Sequence, residues 1–322
     1  MVREMDAAIV TDNLTRYYDS LCAVDSMNIE VGNEIFGLLG PNGSGKTTTV
    51  LMLTTLLTPT SGTAQVCGTD IVRHPRRVRE KISYVPQDMA LDIRLTGREN
   101  VRLFAELYGI DRPKEKTDEV LGILELADRA DEFVKAYSGG MRRRLELAQA
   151  LVHDPDVLFL DEPTVGLDVA ARRKIWDYIR LLKKKGMTVF VTTHYMDEAD
   201  RNCDRIAFID HGKIRECDTP KALKSQINGD IIVITTEGEA PDITIPDVQC
   251  ISRRDDEVTY FATDGQTAGE EITEKLVDLG VIITSVSVRK PTLDDVFLHL
   301  VDGKEDTGPM NMTSFRNMLG RR

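Results

Sequence analysis

The sequence predicts an α/β protein: a doubly wound core built on a phosphate-binding loop, followed by a small α+β C-terminal domain. Three observations predict it. The loop Gly40-Pro41-Asn42-Gly43-Ser44-Gly45-Lys46-Thr47-Thr48 stands between an apolar run at 35–39 and a helix-like run at 49–57. The near-continuous apolar segment at 157–160 suits a central parallel strand covered on both faces, with further strands at 188–193 and 205–209 and a helix between the first two. Beyond residue 225 the pattern turns to short strands and helices, at 231–234, 243–251, 258–261, 268–279, 281–288 and 293–300.

Taken in order, residues 9–36 alternate in the manner of strands, with turn-like residues at 11–13 and 18–20 between them. Tyr18, judged by its neighbours alone, is an ordinary strand-edge aromatic; the other reading is a ring that stacks on an adenine. Strand, glycine-rich loop and helix then supply the context that a G-x-x-x-x-G-K-[ST] match requires. Glycines let successive backbone N–H groups turn inward and form a concavity for anions. The helix start adds free donors and the positive end of its dipole. Lys46 would reach β- and γ-phosphates, and the Thr47 hydroxyl would ligate Mg²⁺, a cation that prefers oxygen.

A hairpin-like stretch at 59–68 follows, then a basic surface helix at 73–81 and a strand at 82–85 that Pro86 ends. Apolar residues recur at helical spacing over 96–127, with a break at 109–113, so a helical insertion of about 88–150 is expected between core strands. Ser138 is a good N-cap for the helix that follows. Arg142, Arg143 and Arg144 in its first turn oppose the helix dipole, which makes sense if that end faces an anion or pairs with nearby acids. The strand at 157–160 runs into Asp161 and Glu162, where Asp161 would hold Mg²⁺ and Glu162 would orient or deprotonate water. A helix is expected over 171–185. Domains are expected at 1–225 and 226–303, with a flexible tail from 304.

Composition narrows the classes. Of 322 residues 41% are hydrophobic and 29% charged, enough for one large domain and a small one. A net charge of −12 argues against a general nucleic-acid binder. Cys22, Cys67, Cys203, Cys217 and Cys250 are scattered without a C-x-x-C pair and are expected to be free thiols in a reducing compartment. The N-terminus lacks the layout of a signal peptide, and no apolar run approaches the roughly 20 residues that span a bilayer. A soluble protein is expected, reaching a membrane only through a partner.

The residues quoted so far, with six motifs in the same order and spacing, resemble the ATP-binding subunits of ABC transporters over about residues 5–225. The loop around Lys46 is similar to their Walker A, Tyr84-Val85-Pro86-Gln87 to the Q-loop, and Ser138-Gly139-Gly140-Met141 to the signature. Leu160-Asp161-Glu162-Pro163 is similar to Walker B, Gly166-Leu167-Asp168 to the D-loop, and Thr193-His194 to the switch histidine. Tyr18 falls where the family's adenine-stacking aromatic sits, which reverses its reading above. Met141 departs from the usual glutamine and loses an amide donor. The stretch Arg289-Lys290-Pro291-Thr292-Leu293-Asp294-Asp295-Val296-Phe297-Leu298 resembles the ending of daunorubicin/doxorubicin-resistance exporter ATPases.

The resemblance implies an ATP hydrolase with ATP and Mg²⁺. It implies catalytic roles for Glu162, His194 and Gln87, and a metal set of Thr47, Gln87 and Asp161. Tyr18, the loop from Gly40 to Thr48, and Ser138, Gly139 and Gly140 would hold nucleotide. Two cassettes would pack head to tail, as a homodimer or with a paralogue, each ATP lying between one chain's loop and the other's signature helix. A separate transmembrane permease would dock near 88–98 and hold the pair at the inner face of the cell membrane. Drug or hydrophobic-compound efflux is the implied task. The alternatives are a lipid, polysaccharide or ion exporter, or a non-transport ABC ATPase acting on ribosomes or DNA. A P-loop kinase or GTPase is argued against by the signature motif.

Overall fold

The protein is described by a computed structural model over residues 7–227 and 229–302; the tail expected from 304 lies outside the described residues. Two compact units divide at Pro220 and Lys221, ahead of the boundary expected at 225.

The first unit opens with strands β1 (Ile9–Tyr18), β2 (Leu21–Met27) and β3 (Glu30–Val31), then β4 (Ile35–Leu39) and helix α1 (Lys46–Leu53). Strands β5 (Ser61–Val66) and β6 (Thr69–Asp70) precede α2 (Pro75–Arg79) and β7 (Ile82–Val85). The helical part comprises α3 (Gly97–Leu107), α4 (Pro113–Ile123) and α5 (Gly139–Ala150). Next come β8 (Val157–Asp161), α6 (Val169–Lys184), β9 (Thr188–Thr193), α7 (Met196–Asn202), β10 (Arg205–Asp210), β11 (Lys213–Asp218) and α8 (Pro220–Ser225), which straddles the division.

The central sheet has the order β11-β10-β4-β9-β8-β7, parallel from β10 to β7, with β11 antiparallel at its edge. Every residue of β4, β8 and β9 is buried, which is why these strands lack alternation in sequence. Phe36, Phe190 and Phe159 stand in register on β4, β9 and β8. Their ring centroids are 5.4 and 5.5 Å apart in succession, a tilted aromatic column across the sheet. A second, antiparallel sheet, β2-β1-β5-β6 with β3 beside β1, shares a core with the first. Ile9, Leu14, Val24 and Val66 join Phe36, Val50, Leu53 and Phe190 in one buried cluster. Each such side chain contributes about 1.5–3 kcal/mol by leaving water.

Helix α3 starts at a reciprocal cap, in which Thr96 Oγ1 accepts from the Glu99 amide and the Glu99 carboxylate accepts from the Thr96 amide. Gly109, at φ +68, and Pro113 at the start of α4 make the break expected between the two helices. The helix expected at 73–81 shrinks to the five residues of α2. Its Val78 is buried, so it is not merely a solvated face.

The second unit holds β12 (Asp230–Thr236), β13 (Val248–Arg254), β14 (Glu257–Ala262), α9 (Gly265–Asp278), β15 (Ile283–Arg289) and α10 (Leu293–Asp302). Its antiparallel sheet runs β13-β14-β12-β15. Ala268, Ile272 and Leu276 of α9 pack on Ile232, Ile234, Val258 and Tyr260. The strand expected at 243–251 begins only at Val248. Pro246 lacks an amide for the ladder and Asp247 takes φ +60, so the chain turns there, although Ile245 is still buried in the core.

Candidate functional site

The site forms at the carboxyl ends of β4, β8 and β9, where doubly wound sheets place their ligands. From β4 the chain enters the loop Gly40–Gly45 and then α1. Gly45 takes φ +108, and a Cβ there would come within 2.3 Å of the Ala23 carbonyl oxygen. A Cβ on Gly40 would meet the Ile209 carbonyl oxygen at 2.1 Å. The loop is therefore pressed between β2 and β10, and two of its glycines are required by close approach. Asn42 and Gly43 are exposed, Pro41 half-buried, and Ser44 buried with no partner for its hydroxyl.

Lys46 folds back over this loop. Its Nζ donates to the carbonyl oxygens of Gly40 and Pro41 at 2.8 and 3.0 Å and stands 3.4 Å from Glu162 Oε1. Burial pulls the lysine pKa down, against the charge of Glu162. Burial would likewise raise Glu162, but His194 and Lys46 outweigh it and hold the carboxyl below its usual range. Glu162 is thus an ionised acceptor with an imidazole beside it. His194 Nδ1 lies 3.2 Å from Glu162 Oε1, but off line, so the contact has ion-pair distance without good hydrogen-bond direction. In catalytic sites such contacts often tighten once substrate is bound.

Glu162 itself takes φ +46, a left-handed conformation that is strained for a residue with a Cβ by about 1–3 kcal/mol. Its amide donates to both the carbonyl and the hydroxyl oxygen of Thr192, at 3.1 and 3.0 Å. The same Thr192 hydroxyl donates to Asp161 Oδ1. Asp161 Oδ2 is buried and has no partner. An orphaned carboxylate oxygen beside a phosphate loop, with the Thr47 hydroxyl exposed on the first turn of α1, is the donor chemistry a hard divalent cation takes. The residues fit Mg²⁺.

Gln87 is exposed beyond the end of β7, and Thr48 is half-buried on α1. Ser138 is exposed as N-cap of α5, its hydroxyl accepting from the Met141 amide at 3.3 Å. Gly139 faces Leu167, and Gly140 is so close to Ala171 that a Cβ would come within 2.8 Å of it. Their contacts are with α5, the loop at Leu167 and α6 rather than with the phosphate loop. Tyr18, 41% exposed at the end of the β1–β2 hairpin, carries the Arg16 guanidinium 4.9 Å from its ring centre.

Of the two readings of the three arginines, pairing with a nearby acid holds at Arg143, while Arg142 and Arg144 turn to backbone carbonyls. Arg142 donates to the Lys135 carbonyl and Arg144 to those of Leu124 and Glu125. Arg143 is buried, paired with Glu146 and bonded to three backbone carbonyls. Sequence reasoning missed Thr192, Glu146 and Glu198. Glu198 on α7 accepts from Thr164 Oγ1 and Trp176 Nε1 at 2.7 and 2.8 Å and so anchors the turn after Pro163. The only sequence signal for Thr192 was a hydroxyl near the end of a run that reads as a strand.

With this geometry in place, comparison with known proteins is informative. The family model described as ABC transporter matches residues 24–165, and one described as ATP-binding protein DrrA1-3-like, C-terminal domain, matches 219–301. A daunorubicin resistance ATP-binding protein of Streptomyces coeruleorubidus is 40% identical over 303 residues, 92% of this chain and 96% of the relative. A Nod factor export ATP-binding protein of Paraburkholderia xenovorans is 38% identical, over 93% and 98% respectively. Among solved structures, a dimeric ATP-binding cassette in a post-hydrolysis state with ADP and Pi superposes with TM-score 0.60 at 26% identity. The likeness covers 66% of this chain and 98% of that one.

Proposed function

The chain belongs to the ABC transporter family, and from that membership we propose that its ATPase drives efflux of an apolar, drug-like compound through a separate transmembrane permease. It is an ATP-binding and ATP-hydrolysing subunit of an exporter. The observation that carries the chemistry is the meeting of Lys46, Glu162 and His194 beside Asp161, at the edge of the parallel sheet that bears the glycine loop. For the substrate class, support comes from the likeness to a daunorubicin resistance protein across both units.

In the mechanism we assign, loop amides and Lys46 bind the β- and γ-phosphates, and Tyr18 stacks on the adenine. Thr47, Asp161 and Gln87 would hold Mg²⁺, which would supply charge neutralisation at the phosphate oxygens. Glu162, kept ionised by its neighbours, orients and accepts a proton from the attacking water, while His194 hydrogen-bonds the transferring phosphoryl group. The exposed cap of α5, Ser138 with Gly139 and Gly140, serves the nucleotide of a second cassette. The γ-phosphate then bridges two chains, and its hydrolysis releases them. No described helix is long and apolar enough to cross a membrane; in this reading the permease holds the pair at the inner face.

Likeness to a Nod factor export ATP-binding protein favours a second reading, export of a Nod factor-like compound. Pull-down from detergent-solubilised native membranes tests both. A stoichiometric polytopic partner supports the transporter assignment, and transport by that pair in vesicles, assayed with daunorubicin against a Nod factor, separates the two cargoes. Ribosomal or DNA-associated partners alone would overturn it.

A further inference from the structure

Arg143 lies one turn into α5 and is 4% exposed. Its Nη2 donates to the Asp161 carbonyl at 3.1 Å and its Nε to the Pro163 carbonyl at 3.0 Å, the residues on either side of Glu162. Its Nη1 donates to the carbonyl of Pro86, the residue before Gln87, at 2.7 Å, and to Glu146 Oε2 at 3.0 Å. The other Glu146 oxygen accepts from the Ala90 amide at 2.9 Å. One planar fork of donors thus grips the backbone on both sides of the strained residue and the end of β7 as well.

We propose that Arg143 is a positioning residue for ATP hydrolysis, acting through Glu162, with Glu146 as its counter-charge. Glu162 holds a left-handed φ that persists only when surrounding structure over-determines it. A return of that φ to negative values would swing the Asp161–Glu162 peptide and carry the Asp161 carbonyl away from the guanidinium. Holding that carbonyl therefore holds the direction in which the Glu162 carboxylate points, toward Lys46 and His194. The grip on Pro86 fixes Gln87 relative to the same point. The first turn of α5 has two duties on this account: its cap serves the second cassette and its arginine serves its own.

The inference rests on the reading of Glu162 as the group that activates water, and the test keeps the two separable. In the full chain, Arg143→Lys preserves charge but cannot span three carbonyls. Expected is a fall in kcat of about tenfold or more with KM and fluorescent-ATP affinity within about twofold. In a Glu162→Gln background, single-turnover hydrolysis of radiolabelled ATP should show no further loss, because the positioned group is already disabled. Equal fractional losses in both backgrounds, an unchanged kcat, or a rise in KM alone would overturn the proposal. Should the lysine variant fail to fold, the double variant Arg143→Gln/Glu146→Gln decides, since it removes both buried charges together. It gives up the three carbonyl contacts and is expected to lower kcat by about tenfold or more, while an unchanged kcat overturns the proposal. Normal turnover by Glu162→Gln alone would instead remove the reading of Glu162.

Discussion

Lys46 Nζ and Glu162 Oε1 stand 3.4 Å apart, and both side chains are almost wholly shielded from solvent. The pair joins the phosphate loop to the end of β8, so the proposed phosphate-binding group and the proposed water-activating group are set by one contact. Removing either partner leaves a buried charge uncompensated, which costs about 3–5 kcal/mol in comparable sites.

Lys46→Ala is therefore expected to act twice. Titration with fluorescent ATP should show binding weakened by about tenfold or more, through loss of charge-assisted contacts to phosphate. The Glu162 carboxyl should also rise in pKa, since burial is then less opposed. Unchanged affinity would remove the lysine from the nucleotide site.

Glu162→Gln keeps the shape of the site and removes its proposed base. Turnover should fall by about 10²–10⁴-fold while ATP still binds. Size-exclusion chromatography with ATP should then show a dimer that the parent chain releases after hydrolysis. A monomer at saturating ATP would contradict the two-cassette reading.

Two glycines of the loop should respond differently to alanine. At Gly43 (φ +82) nothing lies within 4 Å of a Cβ, so Gly43→Ala should cost only the backbone strain, about 1–2 kcal/mol. At Gly45 the Ala23 carbonyl adds a clash at 2.3 Å. Thermal unfolding should rank Gly45→Ala well below Gly43→Ala, and equal melting temperatures would refute the close approach.

In the second unit, Asp295 accepts from the Arg289 fork at 2.6 and 3.1 Å and from the Thr292 amide and hydroxyl at 2.7 Å each. Burial would raise this carboxyl, but Arg289 and Thr292 outweigh it and hold it below the usual aspartate range. A depressed pKa means stability that is present above the unfolded value, about 3.9, and lost as pH falls through the folded one. Asp295→Asn should thus loosen α10 by about 2 kcal/mol at neutral pH, and by less in strong acid. Amide exchange across α10 at two pH values checks both the size and the sign.

Much of the first unit was legible because its signals are local. The strands of 157–161 and 188–193 are apolar at every position near their centres, and the loop before Lys46 is defined by consecutive residues. What escaped notice is what depends on residues distant in sequence. A run of three arginines after Ser138 has the composition of a solvated or anion-facing helix start. Only the fold brings Pro86, Asp161 and Pro163 around Arg143 and makes it a buried residue. Thr192 is likewise unremarkable until β9 lies beside β8 and its hydroxyl meets Asp161. In the second unit, Ile243 and Ile245 carry a true hydrophobic signal, yet Pro246 and Asp247 deny that segment a ladder.

The column of Phe36, Phe190 and Phe159 gives the sheet a common baseline. Glu162 follows Phe159 by three positions, while Gly40 and His194 follow Phe36 and Phe190 by four. Each span is a short ruler measured from the same row of rings. A single deletion within any of them would turn the following side chain to the opposite face of the sheet. Length variation in this unit should therefore be confined to the segments between strands, and the three rulers should be invariant in length even where their residues are exchanged.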